Sequence, residues 1–158
     1  MTIKVGDKIP ACTLKTPGDP KPTDITTAQI FDGKKVVVFA VPGAFTPGCS
    51  NTHLPGFIVN ADKIKDKGVA TIVCLAVNDA FVMGAWTKQH NAEEILMVAD
   101  GNAELTQKLG LALDASAYGM GTRCKRFAMI VDNGVVKYVG VDGGEIKDSA
   151  AETILELL

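Results

Sequence analysis

The apolar run Val36-Val-Val-Phe-Ala-Val41 is unbroken and six residues long, the pattern of a strand buried on both faces. Val69 to Val77 and Ile95 to Ala99 repeat it. Between these runs the spacing changes to that of helices. Leu54, Phe57, Ile58, Ala61 and Ile64 share one face of a first long helix, which Lys63 to Gly68 closes with charges and a glycine. Asn78-Asp79 is placed to cap a second helix, Ala80 to His90, with Phe81, Ala85 and Trp86 on one side. Asp100 is placed to cap a short helix, Ala103 to Leu109, ended by Gly110. Arg126 to Val131 and Val135 to Val141 flank Asn133-Gly134, a two-residue hairpin signal. Asp148 or Ser149 is expected to cap a last helix running to Leu158.

The flanking segments are less regular. Ala11 to Lys15 alternates, and an N-terminal extension with one or two short strands is expected. Thr16 to Thr23, with Pro17, Gly18, Pro20 and Pro22, reads as a surface loop. Thr27 to Phe31 makes one helical turn, and Asp114 to Arg123 is expected to be a loop of small residues. The order is βαβαβ, then a hairpin and a helix. It predicts an α/β fold of three α/β/α layers around a mixed central sheet, parallel in its first half.

Composition narrows the class. One domain, 1–158, accommodates the whole chain. Sixteen Lys plus Arg against 18 Asp plus Glu leave a net charge of −2, which gives no footing for nucleic acid or an anionic membrane surface. No apolar run has the length of a bilayer span, and the first residues lack a charged region followed by an apolar one. A cytoplasmic protein is therefore expected. Cys12, Cys49, Cys74 and Cys124 show no C-x-x-C spacing, and only His53 and His90 accompany them. Neither a zinc site nor a disulfide framework is supported, so no metal and no cofactor are expected, and cysteine chemistry should be catalytic.

Cys49 is the cysteine whose surroundings suit that role. It follows a loop dense in Pro and Gly, Pro42-Gly-Ala-Phe-Thr-Pro-Gly48, at the start of the first long helix. Unpaired N–H groups and the positive dipole end favour a thiolate there. Thr46, three residues earlier, can return its hydroxyl to the sulfur or serve as a helix cap. Pro42 and Pro47 can shield the sulfur and stiffen the loop. Gly48 lets the backbone approach a substrate, although loop punctuation explains Pro47 and Gly48 equally well. A thiolate also calls for a fixed cation, and Arg123, Lys125 and Arg126 lie together before a strand. His53, four residues after Cys49, is expected to be structural. A Cys–His hydrolase would need an oxyanion partner set that is not evident. Pro55 should kink the helix. Phe45, Phe81, Leu113 and Phe127 either form an apolar rim or belong to the core.

Pro42-x-x-x-Thr46-x-x-Cys49 resembles the peroxidatic signature of the peroxiredoxins. The longer string Val41-Pro-Gly-Ala-Phe-Thr-Pro-Gly-Cys-Ser-Asn-Thr-His-Leu-Pro-Gly-Phe57 is similar to the subgroup called type II in plants and peroxiredoxin-5 in animals. Likeness extends from Ile3 to the C-terminal helix. The resemblance implies a thioredoxin-like fold and a thiol peroxidase with an antioxidant role, acting on hydrogen peroxide and alkyl hydroperoxides. It implies catalytic roles for Cys49, Thr46, Pro42 and Arg126, the last chosen because it directly precedes Phe127-Ala-Met129-Ile130. Gly48, Phe45 and Phe127 are the expected substrate-binding residues. It also implies a homodimer, with Phe45 and the Asn78–Phe81 turn as contacts.

The sequence departs from the animal subgroup in one respect: residues 142–158 contain no resolving cysteine. Cys74 lies where the resembling plant proteins often carry a cysteine, and it is the candidate for that role or a packed strand residue. The expected reductant is an external thiol, glutathione with glutaredoxin, or thioredoxin. Two rivals stand beside this reading. A peroxide sensor or holdase on the same fold would oxidise without turnover, and a thiol–disulfide oxidoreductase is disfavoured by the missing C-x-x-C.

Overall fold

The computed structural model describes residues 2–158. Seven strands form one sheet in the order β2-β1-β5-β4-β3-β8-β9. The apolar runs supply its centre: β3 (Lys35–Val41), β4 (Thr71–Ala76) and β5 (Leu96–Ala99) are parallel neighbours. The hairpin β8 (Arg126–Asp132) and β9 (Val135–Asp142) runs antiparallel beside β3, with Asn133 and Gly134 both at positive φ in its turn. On the far side, β1 (Thr13–Thr16) and β2 (Thr23–Thr26) form a second hairpin. The expected N-terminal loop is therefore shorter than Thr16 to Thr23, since both end residues belong to strands.

Alternation along β3 and β8 divides the core. Val37, Phe39, Val41, Ala128 and Ile130 face one side, where α2 (Leu54–Asp66), α3 (Ala80–His90) and α5 (Ala151–Leu157) pack. Val36, Val38, Ala40, Phe127, Met129 and Val131 face the other, against α1 (Thr27–Phe31) and α4 (Glu104–Leu109). The buried positions of α2 are Leu54, Phe57, Ala61 and Ile64, four of the five assigned to its inner face by spacing. This is the three-layer, thioredoxin-like mixed sheet that the element order predicts.

Three details differ from expectation. The segment Asp114 to Arg123 is bounded by a small two-stranded ladder, β6 (Ala112–Asp114) with β7 (Thr122–Cys124), around one turn at Ser116–Tyr118. Asp100 does serve α4, but as a buried carboxylate accepting from the amides of Leu105 and Thr106. The first residue before α5 is Ala150, which has no side chain to cap it. Asp148 and Ser149 lie in the preceding loop, where they bond instead to the Asp142 carboxylate at the end of β9. No described helix is long and apolar enough to cross a membrane.

Candidate active site

The site lies at the carboxyl end of β3, where the loop after Val41 leads into a helix. Thr46 begins it: its carbonyl accepts from Ser50 N–H at 2.9 Å, and Pro47 occupies the first helical position, where its missing N–H costs nothing. Cys49 follows one turn in, near the unpaired amides of the helix start. Cys49–His53 then forms a wide turn in which Leu54 N–H reaches back five residues to Cys49. Pro55 accounts for this. It offers no N–H, and its ring would press on the carbonyl four residues earlier in a regular helix, so the coil widens ahead of it rather than kinking.

Arg126 arrives from the distant strand. It opens β8 one residue before the Ala40–Phe127 pair, which puts it at the same end of the sheet as the loop. Its Nη2 donates to Cys49 Sγ at 3.2 Å, and its Nη1 lies 2.8 Å from Nδ1 of His53. The other ring nitrogen, Nε2, lies 2.8 Å from the carbonyl oxygen of Ser149. A carbonyl accepts only, so Nε2 carries the hydrogen and Nδ1 accepts from the guanidinium. Burial pushes the His53 pKa down to about 4. The Ser149 hydrogen bond opposes that, the Arg126 charge adds to it, and the Asp142 charge opposes it. The ring is therefore neutral at pH 7. His53, read from sequence as structural, contacts the cation of the site.

The loop before Cys49 is tied from several sides. Ala44 N–H donates to Asn78 Oδ1 at 2.9 Å, and Arg123 donates to the carbonyls of Met120 and Val77, both at 2.9 Å. Arg123 is thus a loop tie and not the cation on the sulfur. Trp86 Nε1 donates to Ser50 Oγ at 3.0 Å, which fastens α3 to the residue after Cys49. Thr46 Oγ1 donates to the Gly43 carbonyl at 2.7 Å, so its hydroxyl is spent within the loop rather than on the sulfur. Pro42 is half-buried beside this turn, and Phe45 is held at φ 68°, a left-handed conformation that costs a non-glycine residue about 1 kcal/mol. A Cβ on Gly48 would stand 3.2 Å from Arg126 Nη2 and 3.9 Å from Ile146 Cδ1. Only hydrogen fits without moving that guanidinium.

One expectation needs correction. Phe127 is fully buried and points into the opposite core layer from Cys49, because neighbours on a strand face opposite ways; it cannot line the site. Cys49 itself has 0% exposure, so the sulfur is enclosed rather than open to solvent. Of the remaining apolar candidates, Phe45 is 45% exposed near Trp86 and Phe81 is 72% exposed on α3. The other cysteines are poor partners in this state. Cys74 is paired with Phe39 in the sheet, and burial raises its thiol pKa well above the ordinary value. Burial pushes Cys124 up to about 12, and its thiol donates to the Val41 carbonyl at 3.0 Å.

Sequence reasoning missed Ser50, Trp86, Ile146, Asp142 and Ser149. Only Trp86 left a trace, grouped by spacing with Phe81 and Ala85, although the buried side of α3 is Ala80, Met83 and Trp86 while Phe81 and Ala85 face out. Among the described residues no group of three or more His, Cys, Asp or Glu is arranged to hold a metal.

Comparison with known proteins identifies the family. The Redoxin family model matches residues 4–155. Peroxiredoxin-2E-2, chloroplastic, of Oryza sativa subsp. japonica is 46% identical over 99% of this chain and 73% of its own length. Peroxiredoxin-2D of Arabidopsis thaliana is also 46% identical, over 99% of this chain and 98% of its own. The crystal structure of reduced Prx3 in complex with hydrogen peroxide from Vibrio vulnificus superposes with a TM-score of 0.95 at 50% identity, covering 99% of both chains. A cysteine at a helix start, bonded by an arginine from a strand far along the chain, thus sits in a sequence alike from end to end to known thiol peroxidases: the chain belongs to the Redoxin family and, within it, to the peroxiredoxins, thiol-dependent peroxide-reducing oxidoreductases.

Proposed function

We propose that Cys49 is the peroxidatic nucleophile and Arg126 its activating cation. The observation that carries this reading is the 3.2 Å contact from Arg126 Nη2 to Cys49 Sγ. A guanidinium at that distance favours the ionised sulfur and can stabilise charge on a departing oxygen. The thiolate attacks the terminal oxygen of the hydroperoxide. An S–O bond forms, the O–O bond breaks, and the leaving hydroxide or alkoxide takes a proton from solvent to give water or an alcohol. Cys49 is oxidised to the sulfenic acid and the peroxide is reduced. Pro42 and the Thr46–Gly43 turn hold the loop over the sulfur. While donating to Gly43, the Thr46 oxygen keeps lone pairs that can accept from the O–H of a bound peroxide. Gly48 leaves the space in which the guanidinium and the substrate meet.

Hydrogen peroxide is a fitting substrate because the sulfur is enclosed, and the Vibrio vulnificus relative was crystallised with it. Small alkyl hydroperoxides follow, entering beside Phe45. Regeneration falls to an external thiol, glutathione with glutaredoxin, or thioredoxin. One thiol condenses with the sulfenic acid, releasing water and leaving a mixed disulfide, and a second thiol frees Cys49 as a disulfide departs. The support is negative for the internal route: Cys74 and Cys124 are buried, high-pKa thiols. A homodimer through exposed Phe45 and Phe81 belongs to the same proposal, since the Ala44–Asn78 bond joins their two segments into one face. A cytoplasmic location is part of the proposal.

The test is peroxide consumption by the full chain, with glutathione and glutaredoxin or with thioredoxin, alongside Cys49→Ser. Catalytic consumption lost in Cys49→Ser supports the reading. Stoichiometric oxidation of Cys49 with no turnover under any of these reductants would instead identify a sensor. Mass spectrometry after one equivalent of peroxide should find the oxygen or a mixed disulfide on Cys49.

A further inference from the structure

We propose that His53 is the positioning residue for the site's cation, holding one arm of the Arg126 fork so that the other faces Cys49, and that the β9–α5 loop in turn aims His53. The proposal rests on the roles just given to Cys49 and Arg126.

A guanidinium near a sulfur has several nearly equivalent ways to present its donors, and only some point a nitrogen at Sγ. His53 removes that freedom. Nδ1 accepts from Nη1 at 2.8 Å, leaving Nη2 directed at Sγ at 3.2 Å. The ring is itself immobile. It is 1% exposed, and the Phe39 and Phe57 rings stand 5.2 and 5.6 Å away at tilted angles. Its Nε2–H is fixed on the Ser149 carbonyl at 2.8 Å.

That carbonyl is fixed by a second device. The Asp142 carboxylate accepts from the amides of Lys147, Asp148 and Ser149 at 2.9, 2.9 and 2.8 Å, and from the Ser149 hydroxyl at 2.6 Å. Asp142 is also the ladder partner of Arg126 across the β8–β9 hairpin. A closed circuit results: the strand pair that carries the cation also carries the carboxylate that orders the loop, and the loop's carbonyl orients the imidazole that orients the cation. Arg126 on β8, Asp142 on β9 and Cys49 on the histidine's own turn are the charged or titratable groups facing this ring. Burial keeps the ring neutral, and neutrality is required, because a protonated Nδ1 would turn a donor toward the guanidinium.

The experiment compares His53→Leu with His53→Gln in the full-length protein. Leucine keeps the bulk and removes both bonds, whereas glutamine offers an acceptor to Arg126 and a donor to Ser149. The second-order rate with hydrogen peroxide should fall about 10- to 100-fold in His53→Leu and recover to within a few-fold of wild type in His53→Gln. The pH profile of Cys49 alkylation by iodoacetamide should move to alkaline pH in the leucine variant alone. A packing role would not produce that displacement. Should His53→Leu fail to fold, Asp142→Ala, which leaves His53 in place and frees the Ser149 carbonyl, takes its place with the same expected loss. Wild-type rate and alkylation profile retained in His53→Leu, or in Asp142→Ala as its substitute, would overturn the proposal. So would glutamine behaving as leucine does. Wild type and Arg126→Ala are run in parallel. A wild type that reduces no peroxide, or an Arg126→Ala that loses nothing, indicts the earlier reading instead.

Discussion

Replacing Arg126 by alanine withdraws a positive charge 3.2 Å from the sulfur and leaves the buried Nδ1 of His53 without its donor. At an effective dielectric near 20 the attraction between unit charges at that separation is about 5 kcal/mol, an upper bound for what the thiolate loses. Removal of a single preorganised donor from a developing anion costs about 3–4 kcal/mol in other enzymes. The second-order rate with hydrogen peroxide should therefore fall about 10²- to 10³-fold. Stability should fall too, by about 1–3 kcal/mol for the orphaned imidazole nitrogen. Arg126→Lys separates the contributions: the charge survives, but one ammonium cannot serve His53 and Cys49 with the same fork, so a loss of roughly tenfold is expected. The assay is stopped-flow single turnover on the reduced protein, read by intrinsic Trp86 fluorescence or by loss of peroxide, with thermal unfolding alongside. An alanine variant within threefold of wild type would refute the electrostatic argument. A lysine variant equal to wild type would show that charge alone matters and the fork does not.

Gly140→Ala should destabilise the protein by about 1–3 kcal/mol, because the new Cβ would overlap the Tyr138 hydroxyl and lie 2.5 Å from the Asp148 carbonyl; Tyr138 donates to that carbonyl at 2.7 Å, so the loop that aims His53 should shift and the peroxide rate drop with the urea midpoint. If the midpoint holds, the contact is not as tight as described. A pH effect on stability follows from His53. Its folded pKa of about 4 lies below the ordinary 6.5, so between those values the unfolded chain takes up a proton that the folded chain refuses. The stability it allows is complete above pH 6.5, declines as pH falls, and is about 3 kcal/mol lower by pH 4. Urea titrations of wild type and His53→Gln should diverge across that window, and parallel curves would contradict a buried neutral ring. Cys74→Ala should cost about 1 kcal/mol of core packing yet leave turnover with an external thiol within about twofold. Collapse to a single turnover would make Cys74 the resolving cysteine.

What the sequence revealed about this site depended on how local the cause was. Three apolar runs separated by helical spacing announce a parallel core, and the loop from Pro42 to Gly48 announces a cysteine at a helix start, because each signal lies within one element. Arg126 was reached through its resemblance to a strand motif rather than through spacing. The same strand contained the evidence against Phe127. Adjacent strand residues cannot face the same side, so an arginine on the sulfur already sends its neighbour to the opposite layer. The Asp142–Ser149–His53 connection was not legible, since it joins residues 96 apart in chain through a main-chain carbonyl, a group every residue possesses and no pattern marks. The β6–β7 ladder was missed for a different reason: three-residue strands are too short to show alternation.

The wide turn from Cys49 to His53 bears on how the enzyme is reset. A peroxide molecule is small enough to slip to an enclosed sulfur, but a glutathione or a protein thiol is not. Rescue of the oxidised cysteine by an external thiol would require this coil to open, and the proline just beyond it has no N–H with which to hold it closed. The indole on Ser50 is the latch that such an opening must first release, so the speed of recovery should be governed by Trp86 more than by the thiol that arrives.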